Sequence, residues 1–204
     1  MKISSLSLIA AAVILSSVVA LAQPAPQPQT LRLRGTVQTL DGDTLTVLST
    51  ANKAVKVTLQ TNTNVMGVAA RPLSSIKDGD FVGVTAGPGP DGHLHATEVH
   101  LFPDNMRGTG EGHYPWDFPK STMTNATVTG VLAASDGRTL KLNYKDGQQE
   151  IDVSPDTPVV ALVPGDRSLL KAGAAVVIIG TLNADDTIQA FAVTAEKNGV
   201  KPPM

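Results

Sequence analysis

The chain has 204 residues, a formal net charge of -2 and no cysteine. Its 16 basic residues face 18 acidic ones, a balance that disfavours nucleic acid as a partner, because non-specific binding of phosphates needs clustered Lys and Arg. The lack of cysteine excludes disulfides, catalytic thiols and cysteine-ligated zinc or iron–sulfur sites. Burial and hydrogen bonding alone must therefore stabilise the fold.

Residues 1–22 are predicted to form a secretory signal peptide. Lys2 supplies the positive start, residues 6–21 form a short apolar run, and Ala20-Leu21-Ala22 has the small-x-small pattern of a cleavage site. A retained membrane anchor is the alternative, although the run is short beside the roughly 20 residues that a span needs. We expect a periplasmic or secreted mature protein without a membrane span, in which residues 23–30 are a Pro-rich tether.

An internal repeat follows, with one copy at residues 31–102 and a second at residues 125–197. Gly35, Asp41-Gly42 and Thr44-Leu45 recur 95 positions later, and from Val57 onward the offset becomes 94. Pairs at the second offset include Thr63/Thr157, Val65/Val159, Gly79/Gly173, Asp91/Asp185, Ala96/Ala190 and Val99/Val193. The chain therefore contains two copies of one module.

Each copy is predicted to contain five short strands. They lie at residues 31–39, 44–49, 55–59, 81–86 and 93–102, and again at 128–134, 139–144, 149–153, 176–180 and 187–196. Asp41-Gly42 is a strong hairpin signal, and residues 65–77 could hold one helical turn. Three strands, an irregular connection and two further strands follow the order of an OB-type barrel, with an SH3-like barrel or a small open sandwich as the alternative. The predicted fold class is all-β: two tandem OB-like five-stranded barrels behind a signal peptide.

The residues at the two ends of the first copy carry a family resemblance. They are Arg34-Gly35-Thr36-Val37, Gly42 and Thr44-Leu45 at the start, and Asp91-Gly92, Leu94, Ala96 and Val99 near the end. With this pattern behind a signal peptide, the chain resembles the bacterial domain of unknown function 5666. The second copy departs from the pattern, with Thr129 before Gly130 and Asp186 in place of the last turn glycine. The resemblance implies exported OB-like modules without an assigned chemistry.

Residues 103–124 join the two copies and are rich in Gly, Pro and aromatic residues. Tyr114, Trp116 and Phe118 alternate in this connector and are the candidate ligand-binding residues. They could offer a stacking surface to a sugar, a base or a Pro-rich peptide, or they could clamp the two barrels together. The scarcity of aromatic residues elsewhere favours the clamp. Residues 198–204 are predicted to be a C-terminal tail.

A cluster on the fifth strand is the candidate metal site. His93, His95, Glu98 and His100 would share one outward face if a β-bulge lay near Ala96-Thr97, and imidazole nitrogens with a carboxylate can hold a divalent transition metal. The alternative is a polar outer face that happens to use histidine. The second copy has Thr187, Gln189, Ala192 and Thr194 at these places, so the fold does not require ligands there.

No residue pattern indicates an enzyme. The segment Gly87–Gly92 formally matches a dinucleotide motif, but it lies between antiparallel strands and its prolines remove N–H donors. We therefore expect an exported, non-catalytic binding or structural protein of the cell envelope, with an envelope protein or a small ligand as partner and no cofactor. Any ligand is expected in a groove between the barrels, lined by Tyr114, Trp116 and the outer face of the fifth strand. The alternative is a periplasmic protein that binds a divalent metal.

Overall fold

The computed structural model describes residues 30–203, which form twelve β-strands and three short 3-10 turns. The strands are β1 (Thr30–Asp41), β2 (Thr44–Ser49), β3 (Ala54–Ala70), β4 (Phe81–Pro88), β5 (Leu94–Leu101), β6 (Gly112–Pro115), β7 (Thr122–Ala133), β8 (Arg138–Tyr144), β9 (Gly147–Val153), β10 (Val159–Pro164), β11 (Ala175–Leu182) and β12 (Ile188–Ala195). The all-β prediction is confirmed. The predicted signal peptide and nearly all of the tether lie outside the described residues. Over residues 30–203, no helix has the length and apolar character to cross a bilayer.

The strands close two five-stranded barrels. The first barrel runs β1-β2-β3-β12-β11 and back to β1, and the second runs β7-β8-β9-β5-β4 and back to β7. Each encloses its own apolar core. The first core is built around Leu45, Val57 and Ile178, and the second around Leu140, Ile151 and Val84, all of which are fully buried.

The barrels do not coincide with the repeats, and this corrects the expectation of one barrel per copy. Each barrel takes three strands from one copy and two from the other. Val57 of β3 pairs with Ile188 of β12, and Leu94 of β5 pairs in the same parallel manner with Ile151 of β9. The two copies therefore exchange their last two strands within one chain.

The exchange follows from the length of β3. The segment at residues 65–70 was expected to be irregular, but it continues β3 as a strand and pairs antiparallel with β10. The extended chain therefore leaves the first barrel and carries β4 and β5 into the second. The expected helical turn is present only as a 3-10 turn at Leu73–Ser75.

The copies are related by a pseudo-two-fold axis, and the offset of 95 proposed for the first strand is wrong. Backbone bonds join Val37 to Gly173 and Ala174, and the same bonds join Val128 to Gly79 and Asp80. Val128 is thus the counterpart of Val37, an offset of 91 (128 less 37). The first hairpin of the second copy is longer, so Gly130 does not correspond to Gly35.

Candidate ligand-binding cavity

A cavity of about 260 Å³ lies between the two barrels. The outer faces of both barrels form its walls, β3 and β10 contribute Met66 and Leu162, and the connector closes one side with Tyr114 and Trp116. Most of the lining is apolar, and a few polar groups converge on it. This composition is typical of small-molecule sites, although most of those are somewhat larger.

The two walls occupy equivalent positions in the two barrels but differ in chemistry. Across the first barrel, the strand pairings align Ala192-Ile179-Arg32 in one row and Thr194-Val177-Arg34 in the next. Across the second barrel, the equivalent rows are Glu98-Thr85-Met123 and His100-Gly83-Asn125. Ala192 and Thr194 thus take the places of Glu98 and His100. The fold is built with neutral residues in one copy, so it does not require the acid and the imidazole of the other.

Glu98 is the most deeply buried acidic residue of the wall, with 3 % of its surface exposed. The Thr85 hydroxyl donates to its Oε1 at 2.8 Å, and His100 Nε2 lies 3.6 Å from the same oxygen. No protein group of the described chain donates to Oε2. An acidic side chain buried in this way is costly unless it finds a partner.

Two further buried polar atoms have no partner among the described residues, Asn125 Oδ1 and Trp116 Nε1. The Asn125 amide nitrogen donates to the Thr109 carbonyl at 3.1 Å and to the Tyr114 hydroxyl at 3.2 Å. Because a carbonyl can only accept, this pair of bonds fixes the amide orientation and leaves the Asn125 oxygen free. The residues that line the cavity therefore offer two acceptors and one donor.

The connector is tied to the first barrel by a cluster of ion pairs. Arg34 donates to Asp117 at 2.7 and 3.0 Å and to the Pro203 carbonyl at 3.2 Å. Arg32 reaches the same carboxylate at 3.4 Å, and its guanidinium lies 3.5 Å from the centre of the Trp116 ring. Since β6 of the connector also pairs with β7 of the second barrel, the connector bridges both barrels.

Burial also sets the protonation of two residues in the cavity. Burial lowers the pKa of His100 below its usual 6.5, an effect that the adjacent Glu98 opposes and Arg34 reinforces. Burial raises the pKa of Tyr114 above 10.0. At neutral pH His100 is therefore an uncharged imidazole and Tyr114 keeps its hydroxyl proton.

The aromatic residues predicted as ligand-binding candidates separate in the structure. Tyr114 and Trp116 line the cavity with ring centres 5.9 Å apart, whereas Phe118 is 55 % exposed and lies outside the lining. Tyr114 and Trp116 both join the barrels and face the cavity. The clamp and the ligand-stacking surface considered from the sequence therefore involve the same two residues.

The four predicted metal ligands separate as well. The bulge near Ala96-Thr97 is present, and Leu94, Ala96 and Val99 face the core as expected. Glu98 and His100 line the cavity, but His93 and His95 do not. Over residues 30–203, the four do not converge on a single coordination site, because the positions at the start of β5 lie beyond the cavity.

His95 instead joins two aspartates at the end of the second barrel. Its Nε2 lies 3.0 Å from both carboxylate oxygens of Asp91, and one ligand atom each from Asp91, His95 and Asp152 falls within 4.8 Å of the others. His93 Nδ1 is 3.3 Å from Asp152, and Thr139 donates to Asp152 from the neighbouring strand. The parallel pairing of β5 with β9, which sets His95 opposite Asp152, holds the group together.

Several cavity residues were missed from the sequence. Arg32, Arg34 and Asn125 lie on strands whose partners come from the other copy, and no local pattern indicates that pairing. These residues alternate with buried ones, and that alternation could have identified them. Leu33, between Arg32 and Arg34, and Ala126, next to Asn125, each face a barrel core.

The fold and the cavity define an all-β protein of two interlocked barrels with a mostly apolar cavity at their interface, onto which a few polar groups converge. Residues 34–100 match the model of the family described as Domain of unknown function (DUF5666), which confirms the predicted resemblance for this segment. The match does not extend to the second copy. The evidence that the second copy repeats the first is the symmetry of the strand pairing. Neither the curated proteins nor the solved structures contain a significant match to the chain.

Proposed function

We propose that this protein is an exported, non-catalytic binding protein that holds a small ligand in the cavity between its barrels. The observation that carries the proposal is that three residues lining one cavity of about 260 Å³ each have a buried polar atom without a partner among residues 30–203. Protein interiors normally pair such atoms, so a site that leaves three free is suited to a ligand that pairs them. Export is supported by the pattern of residues 1–22.

A thermal-shift panel tests this function. The purified protein is heated with amino acids, amines, carboxylic acids and monosaccharides, and the same panel is applied to Ala192→Phe. Ala192 is partly exposed on the cavity wall, so a larger side chain fills the cavity without entering either core. We expect at least one compound to raise the Tm of the native protein and to leave the Tm of the variant unchanged. No shift with any class, or equal shifts in both proteins, would contradict the proposal.

A divalent-metal site is the second candidate, supported by the Asp91, His95 and Asp152 group rather than by the four residues first predicted. One imidazole and two carboxylates suit Zn²⁺ and related ions. The equivalent positions of the first barrel hold Asp185, Gln189 and Thr58, and Gln189 pairs with Thr58 as His95 pairs with Asp152. The equivalent positions of the first barrel therefore provide an internal control for metal binding.

Calorimetric titration of tag-free protein with Zn²⁺ tests this site. We expect one equivalent to bind, His95→Gln to abolish binding, and Asp185→Asn to leave it unchanged. Binding that survives in His95→Gln, or no binding by the native protein, would remove this candidate.

A further inference from the structure

We propose that the ligand of the cavity is a small dipolar molecule, with an amine at one end, a carboxylate at the other and an apolar body between them. The inference deepens the proposed function and rests on it. A free aliphatic amino acid is the simplest member of this chemical class.

The wall of the second barrel is suited to the amine. Glu98 Oε2 and Asn125 Oδ1 are both buried acceptors without a protein donor in the part of the chain that the structure describes. The only basic side chain within ion-pair distance of Glu98 there is His100, which is uncharged at neutral pH. An ammonium group beside Glu98 would form a charge-assisted hydrogen bond with its free carboxylate oxygen, and Asn125 Oδ1 is a second acceptor on the same wall.

The part of the cavity formed by the connector and the first barrel is suited to the carboxylate. Trp116 Nε1 is a buried donor that finds no acceptor within the described chain, and the Arg32 guanidinium lies against the face of the same indole. Arg34 adds a second guanidinium to this wall. Asp117 is the only acid paired with these two arginines in residues 30–203, so the wall keeps an excess of positive charge.

A comparison of equivalent residues on the two walls shows which side chains make the cavity dipolar. Arg32 and Arg34 occupy the positions of Met123 and Asn125, while Glu98 occupies that of Ala192. Each charged residue of one wall thus has a neutral residue at the equivalent place on the other wall, so the first barrel contributes positive side chains to the cavity and the second barrel a negative one. A ligand with one charge would satisfy one wall and lose the hydration of its charge against the other, whereas a dipolar ligand complements both.

The middle of the cavity excludes very polar ligands. Met66, Leu162, Val177 and Ile179 form much of its apolar lining. A monosaccharide would place some of its hydroxyl groups against these side chains, which neither accept nor donate hydrogen bonds. An aliphatic body buries apolar surface there instead.

A matched set of four probes tests the inference by calorimetric titration or by Trp116 emission. L-leucine carries both charges, isoamylamine only the positive one, isocaproate only the negative one, and isoamyl alcohol neither. We expect leucine to bind about tenfold or more tightly than each of the others. In Glu98→Gln, leucine should lose about tenfold or more and bind no better than isocaproate.

The outcomes separate the two proposals. A singly charged or neutral probe that binds as tightly as leucine, or an unchanged leucine affinity in Glu98→Gln, would overturn the dipolar inference. If none of the four probes binds while a monosaccharide does, and Ala192→Phe blocks it, this inference fails and the proposed function stands. If Glu98→Gln does not fold, as judged by circular dichroism, the ranking of the four probes on the native protein decides.

Discussion

Val68 of β3 lies opposite Leu162 of β10, and the offset of 94 that relates the two copies maps the first of these residues onto the second. The pseudo-two-fold axis therefore passes through this pair. Each flanking pair is mapped onto another, as Met66 opposite Pro164 becomes Ala70 opposite Val160. The two barrels are halves of one interlocked unit, and the first prediction follows from this arrangement.

The protein should unfold in a single transition. Leu45 and Leu140 are equivalent, fully buried residues of the first and second cores. We expect Leu45→Ala and Leu140→Ala each to lower the free energy of unfolding by about 2–5 kcal/mol. Because each barrel contains strands of both copies, urea unfolding followed by circular dichroism and by Trp116 fluorescence should shift as one curve. Two transitions, only one of which moves in each variant, would show that the barrels are independent.

The ion pair between Arg34 and Asp117 should stabilise the connector. The two side chains are 11 % and 20 % exposed, so solvent screens them only in part. We expect Asp117→Asn to lower the free energy of unfolding by about 1–3 kcal/mol and to move Trp116 emission to longer wavelength. Glu150→Gln is the matched control, since its pair with Lys141 is exposed and should contribute no more than about 0.5 kcal/mol. Equal effects of the two changes would contradict a connector held by this pair.

Stability should fall as the pH drops below about 6.5, and His100 should account for part of the loss. Burial lowers the folded-state pKa of His100, so the unfolded chain binds the proton more readily and the native state is fully stabilised only above that pH. Glu98 and Arg34 are the charged groups that act on it.

We expect His100→Gln to flatten the dependence of unfolding free energy on pH below about 6.5. A residual slope should remain, because burial also lowers the pKa of His113. The lowered pKa of Asp91 acts only below 3.8, at the acid end of this range. Denaturant titrations at several pH values measure the effect, and an unaltered slope in His100→Gln would contradict it.

Gly35 should tolerate no side chain. A Cβ atom there would lie 2.2 Å from the Leu48 carbonyl oxygen and 2.7 Å from Val47, both parts of the paired strand β2. We expect Gly35→Ala to cost about 1–3 kcal/mol or more in unfolding free energy, since backbone must move to make room. Gly87→Ala is the control, because a Cβ at Gly87 meets nothing within 4 Å. Thermal unfolding of the two variants gives the comparison, and equal stability would contradict the crowding.

Local signals in the sequence predicted local structure well. Residues 44–49 form a strand with the predicted bounds, and the bulge at Ala96-Thr97 was inferred because the apolar pattern breaks parity at the same point in both copies. These features depend on a few neighbouring residues. The same alternation predicted that Glu98 and His100 lie on the outward face of β5, which is the face that lines the cavity.

The exchange of strands could not be predicted in this way. Whether β3 turns back after Leu59 or continues to Ala70 depends on pairing with β10, about 100 residues further on, and nothing near Asn64 marks the difference. The shared Asp-Gly in the first hairpins also misaligned the first strands, although Thr36-Val37 and Thr127-Val128 carried the correct match. The separation of His95 from Glu98 into different sites follows from pairing partners that no local pattern shows.

The pairing of Gly35 with Val176 has a consequence for how the chain is made. The opening strand cannot pair with β11 until residues 175–182 have been synthesised, so the first barrel cannot close before that stage of synthesis. Such long-range pairing slows folding and keeps the chain extended for longer. If the protein is exported as proposed, that delay would keep the first barrel open while the chain passes through a translocation pore.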